Sequence, residues 1–163
     1  MCDNGKNRPS AAEIIALLGL TAHPEGGFYR ETYRDEARGA DGRAASTSIY
    51  FLLPLGTVST WHRIDAAEIW HFYAGAPLQL SLFSAGGRIK TRCLGSNLVA
   101  GERPQCVVPA GVWQSAEVAI SQRRGPDTPP WSLVGCTVAP GFSFSGFELA
   151  PPGWRPDQSY TAS

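Results

Sequence analysis

The chain has 163 residues, enough for one domain with a substantial core, and 43% of them are hydrophobic, as in most folded globular proteins. Its 14 Lys and Arg residues balance 14 Asp and Glu residues, so the net charge offers no basic surface for nucleic acid or an anionic membrane. No apolar run is long enough to span a bilayer or to act as a secretory signal, so we expect a cytoplasmic protein without a nucleic-acid or membrane partner.

One helix is predicted, near the start of the chain. Ser10 is a suitable N-cap, Glu13 completes a capping box three residues later, and apolar residues then recur on one helical face. Gly19 is a suitable C-terminal residue for this helix. We expect the helix to pack on the outside of the domain or across a subunit boundary, and residues 1–9 before it to be flexible.

After the helix, glycine and proline separate short apolar runs without a repeat, which is typical of an all-β domain. A single helix is too few for a fold of alternating strands and helices. We expect one domain over residues 10–150, a polar hairpin insertion at 121–130 and an irregular tail at 151–163. The predicted strands span 28–33, 46–53, 57–63, 68–73, 78–84, 88–94, 105–108, 112–120 and 131–138.

The most informative segment is 56–75, GTVSTWHRIDAAEIWHFYAG. Its Gly56, His62, Glu68 and Gly75 have the spacing of the first motif of the cupin superfamily, which this segment resembles. The position of that motif's second histidine is occupied by Ile64.

The second cupin motif is a P-x-G turn followed by a histidine. Residues 109–111 supply the turn, and Gln114 occupies the histidine position. Longer phrases, HPEGGFYRETYRD, STSIYFLLP, WHRIDAAEIWHFYAG, VVPAGVWQSAE and VGCTVAPGFSFSGFELA, resemble the cupin subgroup Cupin_5, or DUF985. The resemblance implies an all-β double-stranded β-helix, the jelly-roll cupin barrel, and commonly a homodimer. It also implies a likeness to nucleotide-sugar epimerases of the cupin class, which work without a metal.

Metal binding is the first chemistry to consider, because cupin metals usually take three histidines and one glutamate. Strand alternation places His62 and Ile64 on one face, and Ile64 cannot ligate. His62, Glu68 and Gln114 are therefore the convergent set, a poor one for zinc or iron, to which His23 could be added. We expect no cofactor, with a divalent metal on His62, Glu68 and Gln114 as the alternative.

Acid–base chemistry fits the residues better. Two ionisable groups inside a small barrel are costly unless they have a purpose. His62 is the candidate base, Glu68 is a second proton carrier, and Tyr73 is the chosen candidate acid, with Tyr29 and Tyr50 left open. The structural alternative is that His62 and Glu68 only hydrogen-bond each other.

The candidate substrate-binding residues come from three places. Trp70 and Phe72 share a strand face with Glu68 and would form pocket walls. The glycine-rich loop before the first strand reads most simply as a turn, but its place in the family resemblance suggests a role at the pocket rim. The full candidate set is Glu25, Phe28, Arg30, Trp70, Phe72 and Gln114.

The leading hypothesis is a metal-independent enzyme that moves a proton on a small sugar-like or nucleotide-sugar ligand. The alternatives are a metal-dependent, dioxygenase-like cupin and a cupin that binds a small ligand without catalysis.

Overall fold

The computed structural model describes residues 8–119 and 128–156. Predictions for residues 1–7, 120–127 and 157–163 lie outside the described part. The described elements are α1 (Ala11–Leu18), β1 (Thr21–Ala22), β2 (Phe28–Arg34), β3 (Thr47–Pro54), β4 (Val58–Ile64), β5 (Ala67–Gly75), β6 (Leu78–Phe83), β7 (Lys90–Leu94), β8 (Gln105–Val108), β9 (Trp113–Val118), β10 (Trp131–Ala139), a 3-10 turn (Phe144–Gly146) and β11 (Phe147–Leu149).

The strands form two antiparallel sheets that enclose the core. One sheet has the order β1-β2-β3-β10-β5-β8 and the other has the order β11-β4-β9-β6-β7. The jumps between neighbouring strands are those of a jelly roll, as the sequence predicts. The main core lies between the sheets because alternate residues of both sheets point inward. Its buried members are Phe51, Leu53, Trp70, Leu78, Leu80, Leu94, Val108, Ala116, Val134 and Cys136.

The helix covers the outer face of the first sheet. Its N-cap Ser10 accepts a hydrogen bond from the Glu13 main chain at 3.2 Å, and the Glu13 carboxylate accepts one from the Ser10 main chain at 2.7 Å. Gly19 ends the helix with a left-handed backbone, φ 59°. Apolar helix residues pack with Leu52 and Trp131, so β3 is buried on both faces. The predicted capping box, end and packing of the helix are confirmed.

The shortest elements were missed by the sequence analysis. Strands β1 and β11 have two and three residues, too few to show an alternating pattern. Between β6 and β7 the chain makes a tight turn in which the Gly87 main-chain N–H donates to the Ser84 carbonyl oxygen at 2.9 Å. The two strands are shorter than predicted, since β6 ends at Phe83 and β7 begins at Lys90. Among the described residues, no helix combines the length and apolar character needed to cross a membrane.

The described start of the C-terminal tail folds back on the second sheet. The Trp154 ring lies 4.6 Å from the Trp113 ring and 6.1 Å from the Trp61 ring, measured between centroids. Residues 150–156 form no helix or strand. Aromatic packing therefore holds this irregular segment against the domain.

Gly75 and Gly56 offer a matched test of the packing at the end of β5. Both have positive φ, 98° and 83°, but a Cβ on Gly75 would lie 2.2 Å from the Trp131 carbonyl oxygen whereas one on Gly56 would meet nothing within 4 Å. We expect Gly56→Ala to cost about 1–3 kcal/mol from backbone strain alone. Gly75→Ala should cost roughly 1–3 kcal/mol more because of the added clash.

The measurement is the free energy of unfolding of both variants by chemical denaturation. Equal losses for the two variants would contradict the packing described at Gly75.

Candidate functional site

A cavity of about 880 Å³ opens from the space between the two sheets. Its buried polar lining consists of Glu25, Thr47, His62 and Glu68, and its mouth carries exposed charged side chains. Between them lies an apolar wall. That wall is formed by Ile49, Phe51, Ile64, Trp70, Val138, Phe142, Phe144 and Phe147.

His62 lies on β4 and is only 2% exposed. Its Nδ1 lies 2.8 Å from the carbonyl oxygen of Thr60, which can only accept a hydrogen bond. Neutral His62 therefore carries its proton on Nδ1 and its lone pair on Nε2. That Nε2 lies 3.2 Å from Oε2 of Glu25.

Glu25 reaches the cavity from the glycine-rich loop before β2. A Cβ at Gly26 would lie 2.3 Å from the Val58 carbonyl oxygen, and a Cβ at Gly27 would lie 2.9 Å from the Leu52 carbonyl oxygen. Both glycines also have positive φ, 106° and 77°. Only glycine fits these two positions without strain, so the pair lets the loop approach the strands closely.

Main-chain contacts then hold the loop against β4. The Thr60 main-chain N–H donates to the Glu25 carbonyl oxygen at 2.8 Å, and the Thr60 hydroxyl donates to the same oxygen at 3.0 Å. Thr60 therefore positions both Glu25 and His62, since its own carbonyl orients the His62 ring.

The Glu25 carboxyl group is shared among three neighbours. Its Oε1 accepts a hydrogen bond from the Ser59 hydroxyl at 2.8 Å. Its Oε2 lies 3.2 Å from His62 Nε2 and 3.3 Å from His23 Nδ1. Burial raises the pKa of Glu25 to about 8, although the Ser59 hydrogen bond opposes the shift.

His23 is the second imidazole beside Glu25. The Glu25 main-chain N–H donates to its Nδ1 at 3.3 Å, and its ring lies edge-on to Tyr29 with 4.6 Å between centroids. Burial, and then the neighbouring His62, lower the pKa of His23 to about 4. The ring is therefore neutral at pH 7.

Glu68 lies on β5 of the first sheet and is held by hydrogen bonds that cross to Gln114 on β9 of the second sheet. The Gln114 side-chain amide donates to Glu68 Oε2, and Trp70 Nε1 donates to the Gln114 carbonyl oxygen at 3.0 Å. Burial raises the pKa of Glu68, while His62 and Gln114 oppose the shift. Burial likewise lowers the pKa of His62, opposed by Glu68. Burial thus favours the neutral form of every ionisable group at the inner end.

The mouth is charged but internally paired. Arg34 makes two hydrogen bonds with the Glu31 carboxylate, at 2.9 and 2.7 Å. Arg43 pairs in the same way with Asp65, at 3.0 and 2.8 Å. The Arg30 guanidinium lies over the Tyr50 ring, 5.7 Å from its centroid.

Most of the residues selected from the sequence meet at this cavity. Glu25, Arg30, His62, Glu68 and Trp70 line it. Gln114 is buried behind them and reaches the site through its hydrogen bond to Glu68.

Three of the selected residues lie elsewhere. Phe28 packs on the outer face of the first sheet, and Phe72 packs in the core away from the cavity lining. Tyr73 is 53% exposed, and its ring packs edge-on to Tyr50, 6.2 Å away. Tyr73 follows Phe72 on β5, so alternation turns it to the outer face and away from His62. The choice of Tyr73 as the acid is therefore corrected.

The sequence analysis also missed two parts of the site. It treated His23 only as a spare metal ligand, although it contacts Glu25 directly. It did not assign the aromatic cover, Phe142, Phe144 and Phe147, which packs near His23 and His62. A run of phenylalanines separated by Gly and Ser was the available signal.

Residues 12–150 match the family model described as Cupin_5, Cupin superfamily (DUF985). The chain belongs to this family. The match covers most of the chain, including the loop of Glu25 and the strands of His62 and Glu68. The family assignment made from the sequence is confirmed.

Individual relatives of this Cupin_5 chain are similar over most of its length. Protein SO0799 from Shewanella oneidensis, a crystal structure, is 43% identical with a TM-score of 0.79, covering 88% of this chain and 85% of that one. A hypothetical protein from Leishmania major is 33% identical with a TM-score of 0.77, covering 87% and 88%. The uncharacterized protein YML079W from Saccharomyces cerevisiae is 29% identical, covering 83% of this chain and 72% of its own.

More distant structures share the cupin fold. Oxalate decarboxylase from Bacillus subtilis is 16% identical with a TM-score of 0.56, and the match covers 78% of this chain but 29% of that one. This likeness confirms the predicted jelly-roll fold. It does not extend to activity, which depends on the residues of each site.

Cupin metal sites need a convergent set of nitrogen and oxygen donors, and the residues at this Cupin_5 site do not supply one. Ile64 lines the cavity where a second histidine would be needed. The Gln114 amide oxygen is taken by Trp70, and its nitrogen is the group that faces Glu68. Among residues 8–119 and 128–156, no three His, Cys, Asp or Glu side chains are grouped to hold a metal ion.

The raised pKa of Glu25 predicts a pH-dependent stability. Between the ordinary value of 4.5 and about 8, the folded Cupin_5 chain keeps a proton on Glu25 that the unfolded chain has lost. The stabilisation that this proton gives the folded state is fully present below pH 4.5 and is lost as the pH rises through about 8. Glu25→Gln keeps the neutral form at every pH, so its stability should not show this loss.

We expect wild type to lose stability relative to Glu25→Gln by up to about 1.4 kcal/mol per pH unit within this window. The measurement is urea unfolding at a series of pH values. Glu36→Gln, at an exposed position, is the control and should follow wild type. Parallel curves for wild type and Glu25→Gln would contradict the assignment.

Proposed function

We propose that this protein is a metal-independent enzyme that moves a proton on a small, sugar-like molecule held in the cavity, with His62 as the base. The observation that supports the proposal most is the orientation of His62. Its Nδ1 is held by the Thr60 carbonyl, so its basic lone pair is on Nε2, inside the cavity lining.

The pKa shifts support a basic role for this imidazole. A base must be unprotonated before it acts, and burial lowers the pKa of His62. In the proposed step, His62 Nε2 takes a proton from a carbon beside a carbonyl group. The electron pair of the broken C–H bond passes to the carbonyl oxygen, which becomes an enolate. Return of a proton to the carbon completes an epimerisation or isomerisation.

The shape and polarity of the cavity support a ligand of sugar or nucleotide-sugar size. Its volume of about 880 Å³ lies in the range of small-molecule sites. The rings of Phe144 and Phe147 can stack on a sugar or a base. The planar guanidinium groups of Arg34 and Arg43 lie at the mouth of the cavity and can donate hydrogen bonds to the ligand. Arg30 lines the cavity with its guanidinium over the Tyr50 ring, where it can meet an anionic group of the ligand.

The test is solvent exchange, because proton abstraction replaces a C–H bond with C–D in heavy water. The protein is incubated in D₂O with a panel of keto sugars and nucleotide sugars, and loss of each C–H signal is followed by NMR. We expect wild type to exchange a proton beside a carbonyl in at least one compound. His62→Asn should slow that exchange by at least about 100-fold.

His71→Asn is the matched control. His71 lies on the outer face of β5, where its ring nitrogens contact Gln105 at 3.3 Å and Thr137 at 3.4 Å. This variant should exchange as wild type does. Exchange that persists in His62→Asn would refute the proposed base, and ligand binding with no exchange would favour a non-catalytic cupin.

Metal independence has its own measurement. Elemental analysis of exchange-active protein should give far less than one equivalent of any transition metal, and a chelator should leave the exchange rate unchanged. Loss of exchange on chelation, restored by a metal, would favour the metal-dependent alternative.

A further inference from the structure

The proposed base leaves one group at the inner end of the cavity unexplained. Glu25 is 6% exposed and sits between two imidazoles, a costly arrangement that the basicity of His62 does not itself require. We propose that Glu25 is the acid of this site: it carries a proton on Oε2 and gives it to the ligand that His62 deprotonates. This inference rests on the proposed function. It makes a glutamate, rather than a tyrosine, the proton donor of the site.

The hydrogen bonds around Glu25 determine where a proton is needed. The Thr60 carbonyl can only accept, so His62 presents a lone pair at Nε2. The Glu25 main-chain N–H can only donate, so His23 presents a lone pair at Nδ1. Oε2 lies 3.2 Å from His62 Nε2 and 3.3 Å from His23 Nδ1, neither of which carries a proton, and Oε1 is already bonded to the Ser59 hydroxyl. An ionised carboxylate would therefore receive no hydrogen bond from either imidazole, whereas a protonated Oε2 can donate one.

The surroundings favour placing that proton on the carboxyl group. The titratable groups facing Glu25 are His23 from its own loop, His62 from β4, Glu68 from β5 and Cys136 from β10. None of these is a permanent cation, so ionised Glu25 would be buried without a fixed counter-charge. The raised pKa of Glu25, about 8, agrees with this geometry.

The contact between acid and base also closes the catalytic cycle. His62 Nε2 takes the proton from the ligand carbon, and the electron pair of that bond passes to the ligand oxygen. The Oε2–H bond of Glu25 breaks as its proton bonds to a carbon of the enolate, and the electron pair returns from the oxygen to form that C–H bond as the carbonyl is restored. This leaves a carboxylate beside an imidazolium. The proton then passes from His62 Nε2 to Glu25 Oε2 across the observed 3.2 Å contact. The site is restored without any co-reactant.

The tyrosines are less well placed for this role. Tyr50 and Tyr73 lie on the outer face of the first sheet. Tyr29 is the one tyrosine in the described part of the chain that lines the cavity, and its ring packs edge-on to His23. Comparing Tyr29→Phe with Glu25→Gln therefore distinguishes Tyr29 from Glu25 as the acid.

The first test needs no ligand. The carboxyl ¹³C signals of glutamate-labelled wild type are followed by NMR as the pH rises, and the Glu25 signal is assigned by its absence in Glu25→Gln or, if that variant does not fold, in Glu25→Asp. We expect this signal to report a protonated carboxyl at neutral pH. A Glu25 signal that titrates in the ordinary range of a solvent-exposed glutamate would overturn the inference.

The second test uses a compound that wild type exchanges in D₂O. Glu25→Gln should lower the rate of product formation by at least about 100-fold, and Glu25→Asp should restore part of it. Tyr29→Phe should lower the rate far less than Glu25→Gln does, and the exposed Glu36→Gln should stay within a few fold of wild type. Full activity in Glu25→Gln, or loss of activity in Tyr29→Phe alone, would overturn the acid assignment and leave the base intact. Absence of exchange in wild type would instead overturn the proposed function.

Discussion

A carboxyl group buried between two imidazoles, with no cation beside it, is stable only if the cluster remains uncharged. That constraint governs the inner end of this cavity. Burial raises the pKa of Glu25 and lowers the pKa of His23 and His62, because ionisation of any of them would leave a desolvated charge. In the proposed resting state, a neutral acid and a neutral base lie 3.2 Å apart. This is the pairing that proton transfer requires.

The fold makes this pairing possible by bringing two distant segments together. His62 comes from the second sheet, whereas Glu25 comes from the loop that precedes the first sheet's β2. Thr60 joins them, because its N–H and hydroxyl bind the Glu25 carbonyl while its own carbonyl orients the His62 ring. The loop approaches this closely because Gly26 and Gly27 have no side chain to clash with β3 and β4. The local backbone therefore sets both the position and the tautomer of the site.

Strand alternation explains which residues of this site could be predicted from the sequence. Alternation correctly placed His62 and Glu68 on inward faces. The same rule places Tyr73 on the outer face, so the prediction of Tyr73 as the acid was inconsistent with it. The role of Glu25 could not be derived by alternation, because it lies in a loop whose course depends on contacts with β3 and β4. The same limit applies to His23. The jelly roll itself was predictable because the long strands have clear patterns and the cupin motif spacing is specific.

The ring nitrogens of the histidines report directly whether the cluster is neutral, with its proton on Glu25 Oε2. The sequence contains three histidines, so two-dimensional ¹H–¹⁵N spectra of the side chains are simple to assign by substitution. At neutral pH we expect His62 to be uncharged with its proton on Nδ1, and His23 to be uncharged with its proton on Nε2. A His62 imidazolium at neutral pH would show that the cluster is charged, and would rule out His62 as a neutral base beside a protonated Glu25.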